Sequence, residues 1–228
     1  MLGYYYDPTW ILLLPAIILA LWAQAKVTST YKKYARTPSR ANLPAYQVAR
    51  QMLAMNGLGD VSVQKVAGQL TDHYDPRSKT LRLSEGIYES ASVAALGIAA
   101  HECGHAIQDR EGYKPLKIRG ALVPVANLGS GASWLLILLG VVMGLYNLIG
   151  LGIILFSAVV LFQLVTLPVE LNASRRALAA LEGAGFLYED ELPKARKVLS
   201  AAALTYVAAA LTSVLQLLRL ILLFGRRD

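Results

Sequence analysis

The chain alternates between long apolar runs and shorter polar stretches, and the apolar runs predict its organisation. The 50 residues from 120 to 169 contain no Asp, Glu, Lys or Arg. A bilayer core of roughly 30 Å takes about 20 apolar helical residues, so this run is long enough for two spans. We place them at about 131–147 and 149–168, and their tight connection near Tyr146 and Asn147 makes them a hairpin.

Two further apolar runs predict a first span at 10–25 and a fourth at 200–224, the latter interrupted by Arg219. The opening MLGYYYDP lacks the basic start of a signal peptide, and Lys26 stands where a small-residue cleavage site would be needed. We therefore interpret the first span as an uncleaved anchor. The apolar pattern predicts a mainly α membrane protein with about four transmembrane helices.

The polar stretches predict a small folded region that contains a β-sheet. Residues 44–56 show apolar positions near helical spacing, with Pro44 in the first turn and Gly57 as the C-terminal cap. The segment 61–66 alternates apolar and polar residues, as a strand does. A turn at 75–78 precedes a second predicted strand, Thr80–Ser84. After Gly86, small apolar residues predict one long buried helix that continues through position 105.

Charge gives the predicted topology. The chain is 55% hydrophobic and 16% charged, with a formal net charge of +7. Its basic residues cluster after the first span, after the third and before the fourth, which the positive-inside tendency places in the cytoplasm. These residues are Lys26, Lys32, Lys33, Arg36, Arg40, Arg175, Arg176, Lys194, Arg196 and Lys197.

Arg226 and Arg227 disagree with this topology, because a fully crossing fourth helix would place them outside. The positive charge indicates contact with anionic lipid. The chain lacks the clustered basic and aromatic surface of nucleic-acid modules, so no nucleic-acid partner is expected. The single cysteine, Cys103, excludes an intramolecular disulfide and agrees with a reducing compartment.

The segment HECGH at 101–105 carries the candidate chemistry. His101 and His105 lie one above the other on one face of a helix, so both imidazoles can reach one zinc ion at about 2.0–2.1 Å. Glu102 can then act as general base toward a zinc-activated water. Cys103 lies about 160–200° around the helix and is interpreted as a small buried hydrophobe, and Gly104 leaves room for close packing behind the site. The alternative is a hydrogen-bonded histidine pair in a core.

A catalytic zinc needs a third protein ligand and an open position, and the sequence offers two candidates. His73 lies in a turn-rich segment before the second strand. Glu170 is the first ionisable residue after the long uncharged run, and Pro168 is expected to start a new helix with Glu170 in its first turn. A carboxylate at a membrane boundary is costly and usually has a partner, so we favour Glu170.

Three long segments resemble the YugP-like neutral zinc metallopeptidases, which are bacterial membrane proteins. They are LTDHYDPRSKTLRLS, SVAALGIAAHECGHAIQ and FQLVTLPVELNASRRAL, in that order along the chain. The family is similar in plan to gluzincin peptidases with HExxH on one helix and an ExxxD pattern on a second. The resemblance implies a zincin-like catalytic domain with one zinc per chain, held by His101, His105 and Glu170. The aspartate position falls on Ser174, which departs from the pattern, and Ser174 or Asn172 is expected to orient a ligand histidine instead.

The resemblance also implies an extended peptide substrate that pairs with an edge strand beside the zinc helix. We expect 80–84 to be that edge, the alternative being an ordinary core strand. The group that stabilises the tetrahedral oxyanion is usually His, Tyr or Arg. The sequence does not choose among the candidates His73, Tyr74, Arg175 and Arg176.

The leading hypothesis is a membrane-embedded zinc metalloendopeptidase of the bacterial inner membrane that cleaves peptides or membrane-protein segments at the cytoplasmic face. The alternative is a zinc-stabilised membrane scaffold or adaptor without turnover, whose site would be closed by both His73 and Glu170.

Small residues at 129–133 and 203–211 permit helix packing within one chain or in an oligomer. The predicted segments are an anchor at 1–25, a catalytic region at 26–130, a hairpin at 131–168, a third-ligand segment at 169–199 and a last transmembrane helix at 200–228.

Overall fold

The computed structural model describes residues 7–225 and contains seven α-helices and three strands within them. The predicted outward position of Arg226 and Arg227 lies outside the described residues. A 3₁₀ helix, Pro8–Leu13, leads directly into the first α-helix. The elements in order are α1 Leu14–Tyr34, α2 Ala45–Met55, β1 Ser62–Val66, β2 His73–Asp75, β3 Thr80–Ser84, α3 Glu85–Tyr88, α4 Val93–Arg110, α5 Lys114–Met143, α6 Tyr146–Gly183 and α7 Leu192–Phe224.

The chain forms two compact units, and several helices contribute to both. The first unit, here called the membrane unit, comprises 7–23, Ile118–Leu167 and 205–225. The second, here called the site unit, comprises Gln24–Lys117 and Pro168–Leu204.

Four helical segments are long and apolar enough to cross a membrane, with mean hydropathies between 1.8 and 2.6. These four segments contain the four predicted spans. In the membrane unit the hairpin helices pack closely at Gly152. A Cβ at this position would lie only 2.8 Å from the Ser133 carbonyl oxygen. Large side chains such as Val142 and Ile154 face outward, as lipid contact requires. Arg219 is ion-paired with Asp7, which reduces the cost of its place inside a span. The spans are: Pro8–Tyr34, Lys114–Met143, Tyr146–Gly183 and Leu192–Phe224.

The expectation that Pro168 starts a new helix is wrong, since α6 runs through it without a break. Proline removes the N–H that would donate to the Leu164 carbonyl, but helices in membranes tolerate this loss. The single long helix predicted after Gly86 is also wrong. The chain forms α3, then a short break, and α4 starts afresh where the Ser92 hydroxyl accepts the Ala95 N–H at 3.2 Å.

The sheet in the site unit has the order β1-β3-β2. The central strand, β3, runs parallel to β1 and antiparallel to β2. The prediction that 80–84 is an edge is therefore wrong. Leu81 and Leu83 alternate with Arg82 and are fully buried, so β3 is a core strand. The edge strands are β1 and β2. The sequence did not predict β2, because His73–Asp75 is too short and polar to show an alternating pattern.

Helix α4 lies in the core of the site unit. On one side Cys103 is fully buried, with its Sγ 3.7 Å from the Ala49 carbonyl oxygen of α2. On the other side Gly104 meets α6, where a Cβ would lie 2.5 Å from the Ala173 carbonyl oxygen. Backbone contact at this distance requires glycine, so Gly104 fixes how closely α4 and α6 approach.

Gly104→Ala is expected to lower stability by about 1–3 kcal/mol, the usual cost of overpacking a core, because the Ala173 backbone has no room to move away. Gly97→Ala on the same helix is the matched control. Its Cβ would lie 3.6 Å from that of Ala195, an ordinary contact, so higher helix propensity should leave stability equal or raised by up to about 1 kcal/mol. Thermal unfolding in detergent measures both variants. Equal effects of the two substitutions would contradict the close approach.

Candidate metal centre

Three side chains from α4 and α6 converge on one point. His101 and His105 are one helical turn apart on α4, and Glu170 faces them from α6. Glu170 Oε2 lies 3.1 Å from His101 Nε2 and 3.5 Å from His105 Nε2. One ligand atom from each residue lies within 4.8 Å of the other two. Among the described residues, these three side chains form a group that could hold a metal ion.

The second nitrogen of each imidazole is held by a polar side chain. His101 Nδ1 lies 3.1 Å from Ser174 Oγ, and His105 Nδ1 lies 3.1 Å from Gln108 Oε1. When a Nδ1–H is donated to an oxygen, the lone pair of the imidazole is on Nε2. Donation of both Nδ1–H groups to these oxygens would leave both Nε2 lone pairs facing Glu170, as metal binding requires.

Gln108 is a site residue that the sequence analysis missed. It is fully buried, and its Nε2 donates to the Val169 carbonyl at 2.8 Å and to Asn172 Oδ1 at 2.9 Å. These two acceptors fix the amide orientation, so Oε1 must face His105. The sequence could have indicated Gln108 by its spacing, because position 108 lies about one turn after His105 on the same face of the helix.

Asn172 contacts Gln108, which in turn contacts His105. Its Oδ1 also accepts from Arg176 Nε at 2.7 Å, and Arg176 is ion-paired with Glu111 at 2.7 Å. Arg176 therefore supports this network from α6. Of the two residues predicted to orient a ligand histidine, Ser174 makes the contact directly.

Glu102 lies beside the first histidine and is 8% exposed. Burial raises the pKa of Glu102 to about 7, while the nearby His101 and the Tyr74 backbone N–H act in the opposite direction. A carboxyl group with a pKa near neutrality can both accept and return a proton at physiological pH.

The predicted oxyanion stabilisers lie in different surroundings. The Tyr74 hydroxyl donates to Asp109 Oδ2 at 2.9 Å, and burial together with Asp109 raises the pKa of Tyr74. His73 is exposed, with Nδ1 2.8 Å from the Thr71 carbonyl oxygen, and it is not part of the three-residue group. Arg175 is exposed on α6 and lines a cavity of about 480 Å³ beside Ser174.

The donor set fits zinc. Two neutral imidazoles and one carboxylate are a common set at catalytic zinc sites, which keep a fourth position open. Glu170 is only 2% exposed, and a carboxylate so buried needs cationic partners or a metal. A divalent ion between the two imidazoles and this carboxylate would supply such a positive charge.

Comparisons with known proteins agree with this donor set. The model of a family described as "Putative neutral zinc metallopeptidase" matches residues 9–225. A relative from Bacillus subtilis (strain 168), "Putative membrane protease YugP", is 50% identical over 213 residues, covering 93% of this chain and 95% of the relative. No solved structure matches. The expected resemblance is confirmed, and the chain belongs to this neutral zinc metallopeptidase family.

Proposed function

We propose that this protein is a membrane-embedded zinc endopeptidase in which His101, His105 and Glu170 hold one zinc ion and Glu102 is the general base. The observation that carries the proposal is the convergence of three ligand atoms, with both Nδ1 atoms already bonded to other side chains. A zinc ion held there would supply a Lewis acid that polarises the scissile carbonyl and lowers the pKa of a water molecule.

Glu102 would take a proton from the attacking water and deliver it to the leaving amine. Its place next to His101 on α4 brings it to the metal group, and its pKa of about 7 suits both directions of transfer. The buried surroundings that raise this pKa also exclude bulk water, which strengthens electrostatic interactions inside the site.

The substrate would pair with β2. This strand has β3 on one side only, and the Tyr74 backbone N–H lies near enough to Glu102 to lower the pKa of that carboxyl, so β2 passes beside the site at Tyr74. An extended peptide can add to such an edge through main-chain hydrogen bonds that tolerate many sequences. This assignment replaces the predicted edge, β3.

The alternative of a closed, structural zinc site required His73 as a fourth ligand. His73 is exposed, bonds the Thr71 carbonyl and stands outside the metal group, which supports an open site and therefore turnover. For localisation we propose the inner membrane with the site facing the cytoplasm, because the basic ends of α1 and α7 belong to the site unit.

Glu102→Gln is expected to keep zinc bound and to lower hydrolysis by at least about 100-fold, since general acid–base catalysis contributes 10²–10⁴-fold. The purified variant and the unchanged chain are reconstituted in vesicles and given a mixed peptide library, with cleavage read by mass spectrometry. Zinc is quantified in the same samples. Hydrolysis at the unchanged rate in the zinc-loaded variant would exclude Glu102 as the base.

Ser174 provides a second test, because it stands where related peptidases carry aspartate. Ser174→Ala removes the acceptor for His101 Nδ1 and should weaken zinc binding about 10–100-fold. Ser174→Asp restores an acceptor and should bind zinc at least as tightly as the unchanged chain. Competition with a zinc chelator measures both. If the Ala and Asp variants lost equal affinity, Ser174 would not orient His101 by accepting its proton.

A further inference from the structure

A basic groove lies between α1 and α7 in the site unit, and none of the three residues of the metal group lines it. It has a volume of about 710 Å³, within the range of ligand-binding cavities. Four cationic side chains line it, and no Asp or Glu is among its described lining residues. The cations are Lys26, Lys33, Arg196 and Lys197.

These like charges face one another without a carboxylate in the groove. Bringing like charges together costs free energy unless an anion compensates them. Neighbouring basic residues behave differently: Lys194 and Arg40 both pair with Asp190, at 3.4 Å and 3.1 Å. Ser200 lines the same groove, and its hydroxyl can donate to a phosphate oxygen. The chemistry of the groove therefore suits a phosphate-containing anion.

The position of the groove along the helices indicates where that anion comes from. On α1, Lys26 is the first charged residue after the uncharged stretch 8–25, and on α7, Lys197 is the last before the uncharged stretch 198–218. The groove continues to Ala201 and Leu204, which belong to the apolar stretch. One turn before Lys26, Trp22 is 53% exposed, as is typical of an aromatic residue at the membrane interface.

We propose that this groove binds the phosphodiester headgroup of an anionic phospholipid. The four cations contact the phosphate, and the acyl chains extend along the apolar side toward Leu204. Basic pockets between helices at a membrane surface bind such headgroups. A free phosphate would use the same cations but would gain nothing from the apolar end of the groove.

Trp22, one helical turn before Lys26 on α1, allows the proposal to be tested close to the groove. In a chain with Trp10→Phe and Trp134→Phe, Trp22 is the remaining tryptophan. The protein is reconstituted in phosphatidylcholine vesicles that contain brominated phosphatidylglycerol, and bromine close to the indole quenches its fluorescence. The parallel sample contains brominated phosphatidylcholine. Preferential quenching by phosphatidylglycerol is the expected result.

The groove variant Lys33→Gln/Arg196→Gln should lower this preference by at least about tenfold, because each basic residue near a membrane surface contributes roughly fivefold. The matched control, Lys32→Gln/Arg36→Gln, removes the same charge from a residue of α1 and from one just after it, neither of which lines the groove. It should change the preference little. An equal loss in both variants, or no preference in the parent chain, would overturn the proposal. Inorganic phosphate that abolished the preference at equal concentration would instead indicate a free-anion site.

Discussion

The backbone contact between Gly104 and Ala173 is the constraint on which the candidate site depends. Because Gly104 has no side chain, α4 can approach α6 closely enough for side chains from both helices to share one point. The same approach lets Gln108 reach the Val169 carbonyl and lets Ser174 reach His101. The convergence of the candidate metal ligands, and of the residues that contact them, therefore depends on one helix–helix contact.

The membrane gives the second constraint. The uncharged run ends just before Glu170, and α6 continues through Pro168 without a break, so an apolar span and a candidate metal ligand belong to the same helix. Burial of the Glu170 carboxylate is costly by itself and becomes favourable when it has cationic partners.

The sequence predicts those parts of the fold that depend on local periodicity and on charge. Helical spacing places His101 and His105 on one face, and the absence of charge across 120–169 predicts the hairpin. Glu170 is predicted from the cost of a carboxylate at the membrane boundary. The direct partner of His101, Ser174, follows from the family pattern.

The parts that depend on tertiary contacts were missed. The prediction that 80–84 is an edge failed because strand order depends on long-range pairing, and β2 is too short and polar to show alternation. Pro168 was expected to begin a helix because its local preference favours the first turn, but the apolar environment tolerates it inside α6. The orientation of the Gln108 amide is set by bonds to Val169 and Asn172, which are 61 and 64 positions away.

The most direct test of the account is the zinc content per chain of the purified protein, compared with Glu170→Ala and His73→Ala. The account predicts one zinc in the unchanged chain, loss of zinc in Glu170→Ala and full retention in His73→Ala, because only Glu170 lies with the two histidines. Loss of zinc in both variants would reveal a closed four-ligand site and contradict the assignment of an open hydrolytic centre.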